Sequence, residues 1–147
     1  MKTYLFLFLA FLSFDKLAAQ SAGNNGFGYL GFNHLALQVK DMEASKDFYT
    51  NVVGLKPISV PDSLKAIRSW FDTGNGQQLH LLAGRTTPVI NDKNGGHFAI
   101  FVSSIEAAEK FLSARKTPFH KQVRFDGVVQ IYFADPDGYL IEVNQKK

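Results

Sequence analysis

Cysteine is absent from all 147 residues, which excludes disulfides, thiolate nucleophiles, thiolate metal ligands and lipidation of a processed N-terminal cysteine. Charge of one sign is scarce as well. Sixteen Lys and Arg face thirteen Asp and Glu, a formal net of +3, scattered without a basic run or a basic–aromatic stripe. That excludes the electrostatic footprint of a nucleic-acid-binding protein. No apolar run is long enough to cross a bilayer as a helix. The most apolar stretch, Leu5 to Phe14, lies between Lys2 and Lys16, ahead of the small residues Ala18, Ala19, Ser21 and Ala22. It reads as an export signal over residues 1–22, cleaved after Ala19 or Ala22. The expectation is an exported protein, periplasmic or secreted, that leaves the membrane once the signal is removed.

What remains is enough chain for one domain with its own core, and that chain repeats itself. Residues 33–49 (NHLALQVKDMEASKDFY) align without a gap on 96–112 (GHFAIFVSSIEAAEKFL), with identities at His34/His97, Ala36/Ala99, Val39/Val102, Glu43/Glu106, Ala44/Ala107 and Phe48/Phe111. Further on, WFDTGNGQQLHLL aligns on YFADPDGYLIEV, pairing Trp70 with Tyr132 and His80 with Glu142. A fixed internal period is a sign of duplicated architecture.

Each half reads as a strand, a helix and three strands. Residues 32–40 alternate as a strand does. Asp41 is placed as an N-cap, with Met42, Ser45, Phe48, Tyr49 and Val52 on one helical face and Gly54 beyond the end. In the second half, Ser103-x-x-Glu106 reads as a capping box, with Ile105, Ala108, Phe111 and Leu112 as the buried stripe and Pro118 past the end. Strands follow near 55–60 and 119–125, then near 66–72 and 128–134, each of the latter turning by a hairpin into the last. Asn75-Gly76 and Asp137-Gly138 supply the turns. Ala83 to Asn94 has linker composition, which divides the domain, about residues 30–145, into modules of about 30–84 and 95–145.

Strand alternation then sorts the polar residues. His34 shares a face with Ala36 and Gln38, and His97 shares one with Ala99 and Phe101. His80 lies between Leu79 and Leu81, and Glu142 between Ile141 and Val143. In all four strands the residues of opposite parity (Leu35, Leu37 and Val39; Phe98, Ile100 and Val102; Leu79 and Leu81; Ile141 and Val143) are large, apolar and able to cover a helix, so the ligand-type side chain is turned the other way. A slip of one residue would bury these groups under the helices, which pins the register. Two such sheets set face to face would bring four potential metal ligands to one place. Tyr132, Trp70, Gln130, Arg68 and Gln78 have the parity to line the same site, and His120 is expected as a surface histidine.

These motifs, with the F-x-D-P-D-G-x-x-x-E ending from Phe133 to Glu142, resemble the vicinal oxygen chelate superfamily of glyoxalases, bleomycin-resistance proteins and dioxygenases. The resemblance covers nearly all of residues 30–145. It implies an α+β fold of two βαβββ modules forming an incomplete barrel, often completed in a homodimer. It also implies one divalent metal ion (Zn, Ni, Co, Mn or Fe) on His34, His80, His97 and Glu142, with Glu142 as catalytic base. Histidine at position 80 departs from the Glu or Gln usual among glyoxalases and epimerases. The implied activity is that of a glyoxalase-like lyase or isomerase that chelates a small oxygenated substrate and stabilises an enediolate. Two alternatives share the scaffold: an extradiol-type dioxygenase using His34, His97 and Glu142, and a binding protein that sequesters an antibiotic or toxin without turnover.

Overall fold

The computed structural model describes residues 28–92 and 94–146, and the export signal expected over 1–22 lies outside the described residues. The chain divides into two units, Met1–Gly31 and Phe32–Lys147. Of the first, only residues 28–31 are described, and they form no helix or strand.

In the second unit the repeat becomes two copies of one motif. The first comprises β1 (His34–Val39), α1 (Met42–Asn51), β2 (Lys56–Ile58), a short 3-10 turn (Asp62–Leu64), β3 (Arg68–Gly74) and β4 (Gln77–Ala83). The second comprises β5 (His97–Val102), α2 (Ile105–Ala114), β6 (Phe119–Val123), β7 (Val129–Ala134) and β8 (Leu140–Gln145). The strands form two four-stranded sheets, ordered β1-β4-β3-β2 and β5-β8-β7-β6, that do not close into a barrel. In each, the first strand runs parallel to the last and the other pairings are antiparallel.

Local chemistry explains the elements. Asp41 caps α1 by accepting from the Ala44 amide at 3.0 Å, and Leu55 N–H reaches back to the Tyr49 carbonyl across Gly54, whose φ is +84°. The β3–β4 turn places Asn75 at φ +54° and Gly76 at +74°, the doubly left-handed conformation that an Asn-Gly hairpin provides. Three expectations need correction. The cap of α2 is Ser104, not Ser103: its Oγ accepts from Ala107 N–H at 3.1 Å and donates to Glu106 at 2.9 Å. Phe111 is 42% exposed, lying under the Arg115 guanidinium instead of in the stripe. Ala83 is the last residue of β4, so the linker begins after it.

One apolar core serves both modules. Leu37, Val39, Phe71, Leu79 and Leu81 of the first sheet join Ile131, Phe133, Ile141 and Val143 of the second, with Tyr49 between them. The helices lie on this side: Phe48 of α1 meets Phe133 at 6.0 Å and Tyr49 meets Phe71 at 6.1 Å. Polar contacts reinforce the joint. Tyr49 O–H donates to Asp135 at 2.8 Å, Lys40 N–H donates to Asp137 at 3.0 Å, and Tyr139 O–H donates to the Gln38 carbonyl at 3.1 Å. Gly138, at φ +95°, has no room for a Cβ, which would sit 2.5 Å from the Val89 carbonyl oxygen of the linker. The D-P-D-G segment is therefore chiefly a fastening between modules.

Asp135 is 6% exposed, and burial raises its carboxyl above the ordinary range, against the hydrogen bonds from Tyr49 and from the Tyr139 and Asp137 amides. Tyr49→Phe leaves one carboxylate oxygen buried without its donor, so it should cost about 1–3 kcal/mol and lower Tm by several degrees, read by circular dichroism. An acid with a raised folded-state pKa contributes stability that is complete below its unfolded value and is lost as pH climbs through the folded one. Asp135→Asn should therefore flatten the stability–pH curve just above the ordinary aspartate range, at lower overall stability.

Candidate functional site

Apolar residues cover one face of each sheet, and the opposite, open face carries the chemistry. Register aligns the two repeats closely. Across the first sheet one row reads Ala36, His80, Trp70, Ile58, and across the second the matching row reads Ala99, Glu142, Tyr132, His120. His34 and His97 stand two residues before those rows on their own strands.

On the first sheet His34 and His80 stack with ring centroids 4.3 Å apart and planes inclined by 17°. Trp70 stacks on the other face of His80 at 4.7 Å and 19°, and the Gln78 amide oxygen lies 2.7 Å from His80 Nε2. Trp70 thus supports an imidazole instead of presenting a bare wall to a substrate. Partial burial lowers the His80 pKa, and the neighbouring His34 lowers it further. Both effects favour the neutral, coordinating form.

On the second sheet Glu142, 9% exposed, is surrounded by donors. Gln130 Nε2 reaches Oε1 at 2.5 Å and Asn144 Nδ2 reaches it at 2.6 Å. Tyr132 O–H donates to Oε2 at 2.7 Å, and His97 Nε2 lies 3.0 Å from the same oxygen. Burial pushes the Glu142 pKa up, but hydrogen bonds from Asn144 and Tyr132, with His97 alongside, outweigh it and leave the carboxyl below its usual value. Burial and the Glu142 carboxylate push the Tyr132 phenol up to about 12, so Tyr132 remains a donor. Gln122 extends the network, donating to Gln130 at 3.1 Å. Asn144 and Gln122 were not singled out from the sequence, although Asn144 is two residues from Glu142 and so shares its face.

The four ligand-type residues thus form two pairs, His34 with His80 and His97 with Glu142. Among the described residues no three His, Cys, Asp or Glu side chains come together as a metal-holding group. The pairs have the right donor chemistry even so. His97 Nδ1 lies 2.9 Å from the Gly95 carbonyl, which can only accept, so Nδ1 carries the proton. With the imidazole neutral, the Nε2 lone pair then points at Glu142 Oε2, two acceptors facing each other across 3.0 Å. Only a proton or a cation reconciles them. Nitrogen and carboxylate donors of this kind suit borderline divalent ions.

The remaining candidates sort cleanly. Arg68 is half-buried on the open face of the first sheet and donates from Nη1 to the Ile67 carbonyl at 2.8 Å. His120 is exposed at the end of the Glu142 row, as expected of a surface histidine.

Known proteins resemble the chain in sequence and in fold. The chain is 30% identical to a lactoylglutathione lyase of Pseudomonas putida over 146 aligned positions, covering 78% of this chain and 84% of that one. It is 29% identical to Glyoxylase I 4 of Arabidopsis thaliana over 120, covering 76% and 68%. Among solved structures, a glyoxalase/dioxygenase of Nostoc punctiforme superposes with a TM-score of 0.67 at 24% identity, over 80% of this chain and 91% of that one. The lactoylglutathione lyase of Agrobacterium tumefaciens gives 0.62 at 23%, over 78% and 92%. The sequence model of the Glyoxalase/Bleomycin resistance protein/Dioxygenase superfamily matches residues 31–143, and the chain belongs to that superfamily.

Proposed function

We propose that the chain is a glyoxalase-type lyase or isomerase acting on a small oxygenated molecule, at a divalent metal site shared between two copies of the chain. The observation that carries this reading is the pair of complementary half-sites. His34 and His80 lie on one open face, His97 and Glu142 on the other, with the shared core on the far side of both sheets. When the first sheet of one copy faces the second sheet of its partner, two nitrogens from one chain meet a nitrogen and a carboxylate from the other. Phe101, 72% exposed on the second open face, is covered in the same pairing.

His34, His80, His97 and Glu142 would hold the ion, which supplies Lewis-acid polarisation of the substrate oxygens and acidifies the neighbouring C–H. Glu142 takes that proton. Its hydrogen-bond donors weaken it as a base in the resting state, so proton transfer requires one carboxylate oxygen to turn from Tyr132 and His97 toward the substrate carbon. Gln130 and Asn144 hold the other oxygen and set the axis of that turn. Trp70 and Gln78 fix the plane of His80, and the stack beside His34 favours a set of four donors over the three of a dioxygenase. The export signal over residues 1–22 would direct the enzyme to substrates outside the cytosol, away from glutathione adducts.

Elemental analysis of the purified protein, equilibrated with Zn, Ni, Co, Mn and Fe, tests the reading. One ion per chain is expected. Loss of a supporting partner alone typically weakens metal binding about 10–100-fold, so His80→Ala should weaken it at least as much. A wild-type protein that binds none of these ions would instead be a metal-free binding protein.

A further inference from the structure

We propose that Arg68 recognises an oxyanion on the substrate, which makes the substrate class an α-hydroxycarbonyl compound bearing a carboxylate or phosphate at the end away from its chelating oxygens. This rests on the metal-site reading above and goes beyond it by naming the far end of the substrate.

The position of Arg68 follows from register. Ser69 and Phe71 are buried on the core side, so Arg68 and Trp70 share the open face. Trp70 lies opposite His80, and Arg68 lies opposite Leu82, one row further along. Arg68 therefore stands beside the His80 row, on the side away from His34, whose row is that of Gln78. The Arg68 row continues to Gln38 on β1, also neutral.

Charge makes the site specific. Arg85 and Arg124 face carboxylates, Asp137 at 4.0 Å and Asp126 at 2.6 Å. Arg115 lies over the Phe111 ring and donates to the Asn51 carbonyl at 3.2 Å. Arg68 is half-buried, and no carboxylate partners it among the described residues. A partly desolvated guanidinium without an anion is costly to keep, and its planar fork matches carboxylate or phosphate in a bidentate manner. Its Nη1 contact with the Ile67 carbonyl holds the group in place and leaves Nε and Nη2 to bind. The second open face cannot serve this purpose. Around Glu142 it presents amides and a phenol, and its nearby arginine, Arg124, is already bound to Asp126.

Binding of three hydroxamates with a common chelating head, measured by calorimetry on zinc-loaded protein, tests the assignment. Pentanohydroxamate has a neutral tail, glutaric monohydroxamate a carboxylate, and 3-phosphonopropionohydroxamate a phosphonate. At least one acidic tail should strengthen binding by about 10–100-fold over the neutral one, as charged hydrogen bonds do. Whichever gains more identifies the anion. Arg68→Gln should bring the ratio near one with neutral-tail binding unchanged, and Arg68→Lys, which keeps charge but not the fork, should give an intermediate ratio. Equal wild-type binding of all three, or a ratio unaltered in both variants, overturns the role of Arg68 while the metal site stands. Failure of every hydroxamate to bind the wild-type protein overturns the metal reading and this one with it.

Discussion

Glu142→Gln should abolish most proton transfer, lowering turnover by about 10²–10⁴-fold, the usual contribution of a positioned general base. The substitution keeps the size of the side chain and one oxygen, so a metal contact can survive it. It removes the charge that Tyr132, Gln130 and Asn144 stabilise by donating to it. One amide N–H₂ then faces donors on either side. On the Oε2 side it meets the Tyr132 hydroxyl, which can rotate to accept; on the Oε1 side it meets Gln130 and Asn144 and costs about 1–3 kcal/mol as an unmatched polar contact. Exchange of carbon-bound hydrogen in hydroxyacetone and related α-hydroxycarbonyls, followed by NMR in D₂O, reads the step without a known physiological substrate. The measurement is made at equal metal occupancy of wild type and variant. Exchange at the wild-type rate would remove Glu142 from the role of base and leave it a ligand alone.

Much of this site was legible before any coordinates, because a strand's two-residue period and a duplicated pattern are both local. The large apolar residues that alternate along the strands with His34, His80, His97 and Glu142 sufficed to turn all four to the open faces, and repeat alignment anticipated that His80 and Glu142 occupy equivalent rows. Errors arose where two adjacent residues satisfy the same pattern. Ser103 and Ser104 are both cap residues, and the cap falls on Ser104, directly before the buried Ile105. Phe111 and Leu112 differ by one step around a helix, and only the second meets the core. The roles of Asp135 and Tyr139 had no local signal at all, since their partners Tyr49 and Gln38 lie 86 and 101 residues away. The same holds for the division of the quartet into two pairs. Parity fixes which face a residue occupies; which face meets which depends on the helices, whose packing draws both covered faces into one core.

That division leads to the second large effect, which separates a site shared between chains from one within a chain. A variant carrying His34→Ala and His80→Ala should be inactive, and so should one carrying His97→Ala and Glu142→Gln. If the first open face of each copy meets the second open face of its partner, a mixed dimer contains one site with every substitution and one with none. Random pairing of equal amounts makes half of the dimers mixed, so the mixture should recover about one quarter of wild-type activity and metal content. The inactive chains are unfolded and refolded together to exchange subunits, and each refolded alone serves as a control. Activity above the controls requires that His34 and His80 of one chain work with His97 and Glu142 of the other, because neither chain contains an intact set. No recovery, in a mixture shown by mass to contain the mixed dimer, would place the four ligands within a single chain and require the two sheets to close on each other. The core that joins Phe48 to Phe133 and Tyr49 to Asp135 resists that closure, since the helices would have to leave the space between the covered faces. Recovery of about one quarter is therefore the outcome expected of the proposed shared site.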